Sequence, residues 1–193
     1  MKGTIAEVSE IVAMRRRDFI AGASMMFLGT RLAGASPLQS QTAPKGPELS
    51  EELSAAEVEI VNRSVMAKEV ADFFGKGHSC AEAGLAVALR FLKKPQDLVW
   101  AAGGFGGGLY NGDLCGFVTA GAMAIGIYAG TLEVEKMAAK EICVQKTREF
   151  WQWWTSTAPL HCAQIREGRK DLKVCDRLGK LAAAKVEDLI KPA

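Results

Sequence analysis

The sequence predicts an all-α protein, a single bundle of about five to six helices around a buried Gly/Ala-rich central helix, with a Gly-rich loop beside it. Three observations carry this. Apolar residues recur at helical spacing in several segments, Ser-x-x-Glu capping signals open two of them, and no run shows the two-residue alternation of a half-buried strand.

The N-terminus is read as a targeting segment rather than as part of the bundle. Arg16-Arg17-Asp18-Phe19-Ile20 fits the twin-arginine export pattern, in which two arginines, any residue, a Phe and an aliphatic residue precede a modestly apolar stretch. Residues 19–30 have the length of a signal h-region and fall short of the roughly 20 apolar residues of a membrane span. Ala33-Gly34-Ala35 supplies a small-x-small pattern, so a signal peptide of residues 1–35 is expected, with cleavage after Ala35. Met14, immediately before the arginines, is an alternative start. The expected location is periplasmic or otherwise extracytoplasmic, with the twin-arginine translocase as a partner during export. That route moves folded proteins, often around a cofactor loaded in the cytoplasm, and so favours a metal or redox centre.

Removing residues 1–35 takes five basic and three acidic side chains from totals of 24 and 22, leaving 19 of each. A neutral mature domain argues against nucleic acid and against an electrostatic membrane surface. Its 158 residues are one domain's worth and enough for a core that does not depend on disulfides.

Residues 36–50 begin with a Pro-, Ser- and Gln-rich run without apolar periodicity and read as a disordered linker, so the domain proper spans 51–193. Ser54-Ala55-Ala56-Glu57 is a capping-box pattern that opens a helix running toward Gly75 and Gly77. Ser79-Cys80-Ala81-Glu82 repeats the pattern and opens a second helix that ends before Pro95. Residues 96–102 suit a short helix, and the glycines from Gly103 to Gly112 suit a loop. With Asp113 as N-cap, the uncharged residues 114–132 form the central helix, buried rather than membrane-spanning because Gly and Ala dominate it. A long helix over about 133–156, a short one after Pro159 and a last one over about 171–190 complete the bundle.

All five cysteines fall after residue 35, and none forms a CxxC pair. Thioredoxin-type motifs, zinc ribbons and c-type haem attachment are thereby excluded. Cys80, Cys115, Cys162 and Cys175 each fall at or near the start of a predicted helix, where free N–H groups and the helix dipole favour a thiolate. Four such positions suit a bound metal or iron–sulfur cluster, or thiol–disulfide exchange. Cys143 lies mid-helix on the apolar side and reads as core. His78 and His161 each sit beside a cysteine and are candidate metal ligands or modulators of a cysteine, against the plainer reading of helix-start histidines facing solvent.

Gly106, Gly107, Gly108 and Gly116 are candidate cofactor-binding positions, because backbone can approach Cys115 closely there and offer N–H groups to sulfur. A dinucleotide fingerprint is excluded by the lack of a preceding strand and a βαβ unit. Phe150-Trp151-x-Trp153-Trp154 places four aromatics where they cannot all face one core, so one ring is free to cover the cysteines or a partner subunit.

At these residues the chain resembles the C_GCAxxG_C_C family of redox-active proteins, named for four characteristic cysteines. The likeness spans about residues 61–184 and rests on Cys80-Ala81-Glu82-Ala83, the Gly-rich approach to Cys115-Gly116, and the late Cys162 and Cys175. In Cys115-Gly116-Phe117-Val118-Thr119-Ala120, Phe117 and Ala120 stand where the family has smaller residues. The resemblance implies redox activity or metal binding without a defined substrate.

The function expected is therefore a redox or electron-transfer protein in which Cys80, Cys115, Cys162 and Cys175 bind a metal or iron–sulfur centre, or cycle between thiols and disulfides, with a redox partner protein. The alternatives are a non-catalytic helical domain with two structural disulfides, and an accessory, partner-binding or homo-oligomeric subunit using the Trp-rich helix.

Overall fold

The computed structural model describes residues 49–191. The signal segment and linker residues 36–48 lie outside the described residues. Leu49, read as linker, packs against the core, and its carbonyl accepts a hydrogen bond from Arg169.

The first predicted helix is two. Ser54 opens α1 (Ala55–Arg63), its hydroxyl accepting from the Glu57 N–H while the Glu57 carboxylate accepts from the Ser54 N–H. Ser64 is extended, ends α1 and caps α2 (Val65–Phe73) through the Ala67 N–H. A distant residue fixes the break: the Glu187 carboxylate accepts from both the Ser64 hydroxyl at 2.6 Å and the Met66 N–H at 2.7 Å. Apolar periodicity runs through this junction unchanged, which is why it does not show the corner.

The second capping box forms as read, and α3 (Cys80–Phe91) follows Ser79 directly. A 3₁₀ segment (Gln96–Phe105) runs on through Gly103 and Gly104, farther than the short helix expected at 96–102. The glycine stretch is thus only partly a loop. Residues 107–110 all take left-handed backbone, with φ of 56°, 67°, 58° and 54°. Two of them, Leu109 and Tyr110, are not glycine, and each such residue costs roughly 1–2 kcal/mol. Gly108 has no alternative, because a Cβ there would collide with the Asp113 backbone.

The central helix is α4 (Gly116–Ala129), buried along much of its length and packed against α3, α5 (Lys136–Thr157) and α7 (Lys173–Ile190). Small residues permit this closeness: a side chain at Gly121 would strike the Phe150 ring of α5. The one-turn α6 (Cys162–Ile165) lies between α5 and α7. Among the described residues there is no strand, only isolated bridges, and no helix is long and apolar enough to cross a membrane.

The Trp-rich end of α5 divides by helical phase. Phe150 and Trp154 are fully buried, Trp153 is half-buried, and Trp151 is exposed. Trp154 Nε1 donates to the Pro159 carbonyl at 3.0 Å and so fixes the turn that leads to Cys162.

Candidate functional site

Each of the four cysteines sits at a helix start, held there by local chemistry. Cys80 is the first residue of α3, behind the Ser79 cap. Cys115 is the N-cap of α4, its carbonyl accepting from the Val118 N–H at 2.9 Å. Cys162 is the first residue of α6, and Cys175 is the third of α7.

Two backbone features bring the starts at Cys80, Cys115 and Cys162 together. Residues 113–115 and 160–162 form a short antiparallel bridge centred on Leu114 and His161. In it the Cys115 N–H donates to the Leu160 carbonyl at 2.8 Å and the Cys162 N–H to the Asp113 carbonyl at 2.7 Å. That geometry makes Cys115 and Cys162 diagonal neighbours, roughly 7–8 Å apart between Cα atoms. The second feature is Gly116. A Cβ at Gly116 would lie 2.5 Å from Cys80 Sγ, 2.9 Å from the Ala81 nitrogen and 3.0 Å from the Phe105 oxygen. The Cys80 sulfur occupies the space this glycine leaves open, against the first turn of α4.

Charge interactions link the four sulfurs. Burial, then the charge of Cys80 and, more weakly, of Cys175 and Cys162, drives the Cys115 thiol far above its ordinary range. Burial and Cys80 also raise Cys162, with Arg166 opposing. Burial pushes Cys175 up to about 11, Arg166 opposing it and Cys162 and Cys80 adding to it. At Cys115, Cys162 and Cys175 the shift runs opposite to the expectation that helix starts favour thiolates. A dipole effect of roughly 0.3–1 kcal/mol loses to desolvation and to the crowding of like charges. These thiols stay protonated near neutrality and are poor nucleophiles.

Each of the five cysteines is a free thiol. Among the described residues, no three His, Cys, Asp or Glu side chains stand close enough to hold one metal ion. Cys143 is apart, partly buried against the main core from α5.

The histidines have other partners. His161 caps α6, and its Nδ1 lies 2.9 Å from Asp113 Oδ1 on the exposed side of the bridge. His78 packs edge-on to Phe73 at 5.2 Å, and its buried Nδ1 has no hydrogen-bond partner. Of the glycines, Gly116 and Gly106 are steric: a Cβ at Gly106 would lie 2.7 Å from that of Ser79, the residue that caps the Cys80 helix. Gly107 has open space around it and serves the left-handed turn.

Sequence reasoning missed Arg166, whose cation faces both Cys162 and Cys175 from the C-terminal end of α6. Its four-residue spacing from Cys162 was the available signal. Also missed was how Phe117 fits. A Cβ at Gly179 of α7 would strike its ring, and one at Gly84 of α3 would lie 3.4 Å from it. Glycines on two neighbouring helices thus make room for the larger residue of α4.

The family model described as "Putative redox-active protein (C_GCAxxG_C_C)" matches residues 78–189, more than half of the chain. The chain belongs to this family. The C_GCAxxG_C_C match takes in Cys80, Cys115, Cys162 and Cys175, all four sulfurs of the converging group. No curated protein and no solved structure matches the chain.

Proposed function

We propose that this chain is an exported electron-transfer protein in which Cys80, Cys115, Cys162 and Cys175 hold an iron–sulfur centre. The observation that carries the reading is the placement of Cys80 Sγ against Gly116, beside Cys115, which the 114–161 bridge joins to Cys162, with burial raising the Cys115, Cys162 and Cys175 thiols. Thiol–disulfide exchange needs a depressed pKa and an accessible thiolate. Cys115 is buried, and three of the four are shifted the other way. Crowded thiols suit ligation instead, because a coordinating cation deprotonates its thiols outright and replaces their repulsion with attraction.

Four cysteines are the ligand count of an iron–sulfur cluster. The donor set is all thiolate, as such clusters require. Gly116 leaves the space that Cys80 Sγ occupies, and the Phe117 N–H in the first turn of α4 donates to the Cys115 sulfur. Arg166 supplies a cation against the Cys162 and Cys175 side. Phe117, buried between α3 and α7, packs the first turn of α4 that follows Cys115. When bound, the cluster would supply reversible one-electron storage. Export rests on Arg16-Arg17 and Ala33-Gly34-Ala35, and export in the folded state suits a centre loaded before transfer.

Iron and sulfide analysis with visible absorption, on protein recovered anaerobically, tests the centre. Serine at any of the four positions is expected to remove or strongly reduce iron and colour, whereas Cys143→Ser keeps both. Protein that takes up no iron during anaerobic reconstitution, or that loses as much with Cys143→Ser, refutes the reading. Export is checked separately by N-terminal sequencing of the periplasmic product, expected to start at Ser36. Arg16→Lys combined with Arg17→Lys should stop its appearance.

A further inference from the structure

We infer that the outer face of α5 is a two-fold interface between two copies of this chain, paired antiparallel. The inner face of α5 is spoken for, since Phe150 and Trp154 are buried in the core. Its outer face carries an apolar stripe. Met137, Val144 and Trp151 recur every seven residues and are 65, 40 and 44 % exposed. Glu141 and Arg148, both exposed, fill the positions between. Positions 137, 141, 144, 148 and 151 thus alternate in steps of four and three, the pattern of a helix seam that seeks another helix.

The charges choose the occupant and its direction. In a parallel two-fold pair, Glu141 would meet Glu141 and Arg148 would meet Arg148. In an antiparallel pair with the axis between Val144 and Gln145, Glu141 meets Arg148 of the second copy twice, and Lys140 meets Glu149 twice. The face is therefore complementary to itself in one orientation and repels itself in the other, as an isologous contact requires. Lys185 of the same chain holds Glu149 at 2.6 Å and limits its motion. Alanines at 138 and 139 keep the flank of the seam low, so that Trp151 has a small surface to cover. One helix face gives an interface at the low end of specific sizes, so the dimer is weak, with a dissociation constant of about 1–100 µM.

Sedimentation equilibrium of the full 193-residue chain, with reductant present to exclude disulfide dimers, tests this. The expected result is a monomer–dimer equilibrium in that range. Glu141→Arg should weaken it about tenfold by setting Arg against Arg148, and Glu141→Arg with Arg148→Glu should restore it. Val144→Glu should remove the dimer while leaving helical content, and the unfolding midpoint measured below the dissociation constant, unchanged. A chain that stays monomeric to about 100 µM overturns the inference, including one whose stripe is covered by its own residues 1–48. So does a dimer indifferent to Val144→Glu, or one that the double charge reversal fails to restore. None of these readouts depends on the cysteines.

Discussion

Gly116→Ala is the most informative single change, because it adds one methyl group at the point where two cysteine-bearing helices meet. The new Cβ would lie 2.5 Å from Cys80 Sγ, so the sulfur must withdraw by about 1 Å to reach ordinary contact. The other two neighbours, the Ala81 nitrogen at 2.9 Å and the Phe105 oxygen at 3.0 Å, are backbone and cannot rotate away. Overpacking of this kind costs about 1–3 kcal/mol, while the better helix propensity of Ala returns at most about 1 kcal/mol. The net loss of about 1–2 kcal/mol corresponds to a fall in Tm of about 2–8 °C for a domain of this size. Gly126→Ala is the matched control on the same helix, since a Cβ there has nothing within 4 Å, and it should gain up to about 1 kcal/mol. Urea unfolding of the metal-free proteins measures both, and iron content after reconstitution reads the effect on the site. If Gly116→Ala is as stable as Gly126→Ala and takes up iron like the parent, Cys80 is not pressed against α4 and the convergence argued for the four sulfurs is wrong.

Other outcomes follow from the same geometry. The metal-free, reduced protein should lose stability as pH rises from about 9 to about 11, because the Cys175 thiol ionises near 9 when unfolded but near 11 when folded. The sign is fixed by linkage: the folded state binds more protons across that window, so raising the pH favours unfolding. Cys175→Ser should flatten that part of the urea-midpoint profile, and an unchanged slope would contradict the burial of this thiol. Trp154→Phe should cost about 1–3 kcal/mol by leaving the Pro159 carbonyl without its donor, and iron uptake should fall because that turn leads to Cys162. Gly179→Ala should destabilise through the Phe117 ring, and Phe117→Leu should relieve part of the damage in a double-mutant cycle. Additive effects would remove Phe117 from that contact.

How much of this was legible before the fold was known depended on the range of each interaction. The two Ser-x-x-Glu boxes are local, and both formed where they were read, which placed Cys80 at a helix start. Gly and Ala enrichment marked α4 as the central helix because close approach leaves a compositional trace. The corner at Ser64 left no such trace, since Glu187, its partner, is more than a hundred residues away. The left-handed turn at 107–110 was masked by Leu109 and Tyr110, which rarely adopt that backbone.

The sequence by itself determined an all-helical chain with four cysteines at helix starts, because caps, periodicity and composition act within a few residues. Only the tertiary structure decided that the starts bearing Cys80, Cys115 and Cys162 meet, through the bridge between 113–115 and 160–162 and the missing side chain at Gly116. It also decided the ionisation of the site, and reversed what the helix ends alone suggest. A helix dipole is a property of one segment, whereas the desolvation and mutual repulsion that hold Cys115, Cys162 and Cys175 as thiols arise only when the segments pack together.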